Sequence, residues 1–235
     1  MTAPPNPFGF PEVSRLSAEP ADIDEESVRW FPHLPGPEDR VVLLLHGLGS
    51  DQEDLRSLAP LLPREFVYVS LRGIFASGAG YAWLPAPPVD PSSPEMLEES
   101  AGAVQRWIAG TVPGQVVGAI GFSQGAMLAL QLLREHPEGW DWVVQLSGAP
   151  FPAPLPRDED LAARRPPAFW GHGGVDPLFD PETEREVRSW MDAHTALVEE
   201  RSEPLGHGID EQVLSAAIRF LEVQGDGTDR LARPC

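Results

Sequence analysis

A chain of 235 residues, 42% hydrophobic and with seven tryptophans, is long enough to bury one sizeable core. Its formal net charge is −19 and all 17 basic residues are arginine, which argues against nucleic acid and anionic membrane surfaces as partners. The single cysteine, Cys235, excludes an internal disulfide framework and a cysteine-based metal site. The first twenty residues carry no secretory pattern, and no run approaches the ~20 apolar residues of a membrane span, so a cytoplasmic protein is expected.

Residues 1–24, rich in proline and polar groups, read as an N-terminal extension to a domain over 25–223, with a flexible tail over 224–235. A first strand is expected over 27–33, closed by Pro35-Gly36-Pro37. Residues 41–45, 66–71 and 116–120 are apolar without alternation, as in parallel strands buried on both faces. Ser50-Asp51-Gln52-Glu53 has the form of a capping box opening a helix to residue 62. Ser93-Pro94-Glu95 puts a cap residue before proline at a first helical position, opening a helix to 109. A helix follows over 124–134, and residues 142–146, 168–170 and 197–200 are further strands. Asp180-Pro181-Glu182 opens a helix through 194. Ile209, Val213, Ala217 and Leu221 recur every fourth residue, the apolar face of a last helix. This alternation predicts an α/β fold, a mostly parallel, doubly wound sheet with helices on both faces. Two proline-rich connections, 73–92 and 148–167, are too short for a large cap domain, so an open site is expected.

The chemistry centres on Gly121-x-Ser123-x-Gly125, a serine between two glycines where a strand turns into a helix. A turn this tight lifts the hydroxyl clear of the sheet, and side chains at the glycine positions would obstruct it. A serine nucleophile needs a base, an orienting acid and an oxyanion hole, with chain order Ser, Asp or Glu, His on this kind of fold. Four histidines lie downstream. His136 and His194 sit near helix ends; His172 follows a strand; His207 lies in Gly206-His207-Gly208, in the loop before the last helix. His207 is favoured, with His172 its rival. Asp176 lies just beyond a strand, whereas Asp180 already reads as a helix cap. The amide after the nucleophile, that of Gln124, is one oxyanion donor, and another is expected from the loop His46-Gly47-Leu48-Gly49-Ser50. That loop is no phosphate cradle, since no Gly-Lys-Ser/Thr follows and the chain has no lysine.

Taken together, Leu45-His46-Gly47-Leu48-Gly49, Gly121-Phe122-Ser123-Gln124-Gly125-Ala126, Gly173-Gly174-Val175-Asp176 and Gly206-His207-Gly208 resemble the α/β-hydrolase superfamily. Within it the chain is similar to the phospholipase/carboxylesterase family, which includes acyl-protein thioesterases and small carboxylesterases. The resemblance spans roughly residues 38 to 222. It implies Ser123 as nucleophile, His207 as general base and acid, Asp176 as orienting acid, and Leu48 and Gln124 as oxyanion amides. It also implies hydrolysis of small to medium carboxylic ester or thioester substrates through an acyl-enzyme, with no cofactor and no metal. The chain departs from the pattern in its long N-terminus and in the proline-rich loop that holds Trp83, which leaves substrate size open. Tyr81 and Trp83 either line an acyl pocket or anchor that loop to the core. Two other readings stand beside the esterase: a non-catalytic ligand-binding member of the fold, and a peptidase sharing the serine motif.

Overall fold

The computed structural model describes residues 9, 12–16, 21–84 and 95–226. In chain order, β1 (Val13–Arg15) precedes a 3₁₀ turn at Glu25–Ser27, β2 (Arg29–Phe31) and β3 (Arg40–Leu45). Next come α1 (Glu53–Arg56), a 3₁₀ turn at Ala59–Leu61, β4 (Val67–Leu71), β5 (Phe75–Ser77) and β6 (Gly80–Ala82). The second half alternates regularly: α2 (Glu95–Thr111), β7 (Gln115–Phe122), α3 (Gln124–Glu135), β8 (Trp142–Leu146), α4 (Asp158–Arg164) and β9 (Pro167–Gly173). It closes with α5 (Pro181–His194), β10 (Ala196–Ser202) and α6 (Glu211–Gly225).

The main sheet has the strand order β10-β9-β8-β7-β3-β4-β2, parallel except for β2 at its edge. Its central strands are apolar on both sides because both sides are covered. Val41, Leu43 and Leu45 of β3 face a core shared with Leu97 and Val104 of α2, Leu128 and Leu132 of α3, and Met191 of α5. Val42 and Leu44 face the opposite core, with Leu55 of α1 and Val213, Ala217 and Leu221 of α6. Strand order reverses between β3 and β7, and ligands of open α/β sheets gather at such a switch point, beyond the strands' carboxyl ends. The serine turn and the Gly47–Gly49 loop both lie there. This is the α/β-hydrolase fold.

Several local expectations give way to tertiary contacts. The expected helix over 50–62 shrinks to α1 and a 3₁₀ turn, because the backbone of Ser50 bridges to Tyr81 and leaves the cap to Asp51, which accepts from the Glu53 amide at 2.8 Å. Only residues 29–31 of the first expected strand pair; residues 25–27 form the 3₁₀ turn capped by Asp24. The N-terminal extension is partly structural, since β1 pairs with β5 in a second, antiparallel sheet β1-β5-β6, and Ala21 and Ile23 are buried in the core. Neither β5 nor β6 has a periodic pattern that sequence reading detects. The connection 148–167 contains α4, organised by the buried Arg134. That guanidinium donates to the carbonyls of Phe151 and Ala153, each at 2.8 Å, and to both Asp158 oxygens, at 2.8 and 2.7 Å. Helix α6 includes Gln224 and Gly225, two residues that the sequence reading assigned to the tail. The Ser93-Pro94 cap, the prolines from Pro85 to Pro91 and Cys235 lie outside the described residues. Among the described residues, no helix is long and apolar enough to cross a membrane.

Candidate active site

Ser123 stands between the end of β7 and the first residue of α3 with φ +53° and ψ −115°, a conformation side chains rarely adopt and one that stores about 1–3 kcal/mol of strain. Close packing holds it there. A Cβ on Gly121 would lie 2.2 Å from the Gly125 carbonyl oxygen, and one on Gly125 would lie 2.0 Å from that of Leu45. The turn is tied to the neighbouring strand by the Ser123 amide, which donates to the Leu146 carbonyl at 2.8 Å. Both glycines of the motif are therefore steric requirements of the turn.

Two loops from the carboxyl ends of β9 and β10 meet above this serine. The Val175 amide donates to the Leu205 carbonyl at 3.0 Å and stitches them together. Asp210 caps α6 by accepting from the Val213 amide at 2.9 Å, and Ser202 donates to its other oxygen at 2.5 Å. This framework brings His207 Nδ1 to 2.7 Å from Asp176 Oδ2, and His207 Nε2 to 2.8 Å from Ser123 Oγ. Asp176 is 5% exposed, and its Oδ1 accepts from the Leu178 amide at 2.9 Å. A carboxylate on Nδ1 defines the tautomer: Nδ1 carries the proton, and Nε2 is the acceptor facing the hydroxyl. Such a series can take a proton from Ser123 and hold the resulting imidazolium. The Phe122 ring flanks the imidazole, 5.2 Å away centre to centre.

The rival residues have other partners. His172 is buried, stacked on Trp170 at 3.9 Å, and its Nε2 meets Glu199 at 2.9 Å. Burial alone pushes the Glu199 carboxyl up, yet hydrogen bonds from Arg188 and His172 hold it below the usual carboxylate range. His194 donates to the Trp190 carbonyl at 2.7 Å, and the His136 ring meets Gln105 at 3.0 Å. Asp180 accepts from the amides of Glu182 and Thr183 as the cap of α5. His172, Glu184 and Glu199 bring three donor atoms within 4.8 Å of one another, but both carboxylates already take Arg188 and Glu184 also takes Arg201.

Across the site, the loop after β3 is held by neutral groups. Buried His46 donates from Nδ1 to the Gly47 carbonyl at 2.7 Å and accepts the Gly73 amide on Nε2 at 3.0 Å. Burial pushes its pKa down, in keeping with this neutral form. Gly49 donates to the Tyr81 carbonyl, and the Tyr81 amide to that of Ser50, both at 2.8 Å. Among the described residues, the amides of Leu48 and Gln124 have no protein acceptor, which leaves both donors free for a ligand oxygen. Trp83 is fully buried: its ring N–H donates to the His46 carbonyl at 3.0 Å, and its amide donates to Gln124 Oε1 at 2.6 Å. That is an anchor, and a wholly buried ring is not a wall open to substrate. Tyr81 is half-buried under the Arg72 guanidinium, 4.3 Å from its ring centre, and its backbone steadies the glycine loop. Sequence reading missed the Gln124 side chain as the tie between the serine turn and the Trp83 loop; no local pattern signals a contact 41 residues apart.

The chain as a whole is similar to known proteins. The description phospholipase/carboxylesterase belongs to the family whose profile matches residues 35–224. The putative esterase NocK of Nocardia uniformis subsp. tsuyamanensis is 31% identical over 146 residues, 60% of this chain, which spans only 42% of that relative's length. Esterase YpfH of Escherichia coli (strain K12) is 28% identical over 206 residues, covering 79% of this chain and 83% of its own. The crystal structure of esterase PE8 superposes with a TM-score of 0.67 at 26% identity, covering 84% of this chain and 98% of that one.

Proposed function

The chain belongs to the phospholipase/carboxylesterase family, and from that premise we propose that it is a serine hydrolase of carboxylic esters or thioesters with small to medium acyl groups. The observation that carries the reading is the unbroken series from Ser123 Oγ through His207 to Asp176, at 2.8 and 2.7 Å. Relatives named esterase and acyl-protein thioesterase support the substrate class.

In this reading Ser123 attacks the acyl carbonyl while His207 Nε2 takes its proton. Asp176 stabilises the imidazolium, and the Leu48 and Gln124 amides hold the oxyanion of the tetrahedral intermediate. The imidazolium then protonates the leaving alcohol or thiol as the carbon–oxygen or carbon–sulfur bond breaks, leaving an acyl-serine. Water attacks that ester with His207 again as base, and the acid departs as Ser123 recovers its proton. No step calls for a cofactor.

A fluorophosphonate probe tests the proposal directly. The wild-type protein is expected to be labelled at one serine and Ser123→Ala to be folded and unlabelled; no labelling of the wild type would sink the reading. A peptidase would cleave p-nitroanilide amides as well as p-nitrophenyl esters, whereas turnover of the esters alone is expected. A panel of esters of graded chain length, with one acyl-thioester, then defines the acyl group.

A further inference from the structure

Ser147 follows β8 with φ +48°, a left-handed conformation that glycine adopts freely and a side chain only at a cost. The position carries a serine all the same, and the group a serine adds beyond Cβ is its hydroxyl. With the residue 1% exposed, that hydroxyl needs a partner inside the protein, and it donates to the Gly208 carbonyl at 3.1 Å. Gly208 is the residue after His207. Among the described residues, this is the one hydrogen bond made to the backbone of residues 206–208. The flanking glycines give that segment little stiffness of its own.

The residues on either side of Ser147 reach the nucleophile. The Leu146 carbonyl accepts the Ser123 amide at 2.8 Å, and the Ser147 amide is fixed on the Gly171 carbonyl at 2.8 Å. At Gly148 a Cβ would lie 2.5 Å from the Ala126 Cβ and 2.9 Å from the Ser123 carbonyl oxygen, so this backbone packs directly on the serine turn. One three-residue corner thus touches the turn that carries Ser123 and the loop that carries His207.

We propose that Ser147 is a positioning residue: its hydroxyl holds the His207 loop in register with the Ser123 turn through the Gly208 carbonyl. It touches no reacting atom and acts only through His207. The inference rests on the hydrolase reading above.

Ser147→Ala and Ser147→Gly test it, compared with wild type by kcat and KM on a p-nitrophenyl ester, by the rate of fluorophosphonate labelling, and by Tm. Both variants lose the hydroxyl, but glycine also relieves the left-handed backbone. The expected result is a fall in kcat of about 10- to 100-fold in both, the scale of an ångström-level misplacement, with KM within about twofold. Labelling should slow by the same factor, and Ser147→Gly should melt closer to wild type than Ser147→Ala does. A kcat within about twofold of wild type in both variants would overturn the proposal. So would a loss of kcat confined to the less stable variant, which would make Ser147 a stability residue. A wild-type protein that fails to react with the probe overturns the hydrolase reading instead, and this inference with it.

Discussion

Two histidine–carboxylate pairs arise from the same two strands: His207 and Asp176, 2.7 Å apart, in the loops after β10 and β9, and His172 and Glu199, 2.9 Å apart, on β9 and β10 themselves. By residue type and distance they are nearly alike. Their second contacts separate them. The far nitrogen of His207 meets Ser123 Oγ at 2.8 Å, and Asp176 is otherwise held by a backbone amide. The His172 ring is stacked on Trp170, and Glu199 is already neutralised by the Arg188 guanidinium. A carboxylate committed to an arginine has little charge left to stabilise an imidazolium, and a buried ring facing no hydroxyl has no proton to take. A paired histidine and acid is therefore not itself a catalytic device.

The largest effect that tests this contrast is expected from Asp176→Asn, which should lower kcat by about 10⁴ while Tm barely moves. Glu199→Gln should leave kcat within about twofold, since it touches no reacting atom. Comparable losses in the two variants, measured on one p-nitrophenyl ester, would erase the distinction. Removing the ring at position 172 should read out as stability: His172→Ala gives up the stack on Trp170, worth about 0.5–1.5 kcal/mol, visible in urea unfolding and absent from kcat. Arg188→Met should cost about 1 kcal/mol or less, because its side chain is 36% exposed and solvent already screens the pair.

Acid sharpens the comparison from the other side. Glu199 has its pKa lowered in the fold, so it binds a proton less readily there than in the unfolded chain. The pair therefore contributes stability above the ordinary carboxylate pKa, and the contribution disappears as pH falls through the lowered folded value. Melting curves from pH 7 down to pH 3 should fall more steeply for wild type than for Glu199→Gln; parallel curves would mean that Glu199 is not the titrating group. Asp158, held low by Arg134 despite its burial, should contribute in the same direction.

Much of this site is legible in the residues because its chemistry is local. Gly121, Ser123 and Gly125 lie within five residues of one turn, and their steric demands are met within that turn and the strand beside it. The order Ser123, Asp176, His207 follows from which strand each loop leaves. Sequence alone left two meanings for Trp83, since a buried aromatic anchor and a pocket wall have the same composition. The helix inside 148–167 escaped notice because Arg134, a residue of a different helix, supplies the hydrogen bonds that order the segment. The capping box at Ser50 was a sound local signal that lost to a backbone bridge with Tyr81, 31 positions along the chain.

Apolar runs, turn glycines and helix caps act through neighbours along the chain, and they determined the α/β alternation, the strained serine turn and the candidate acid and base. Tertiary structure decided which histidine meets the hydroxyl, which carboxylate is spent on an arginine, and that Ser147 joins the His207 loop to the sheet. Those outcomes depend on groups such as Ser123 and His207, 84 residues apart, whose meeting is set by the stacking order of strands and by close packing. No periodicity encodes a contact of that kind.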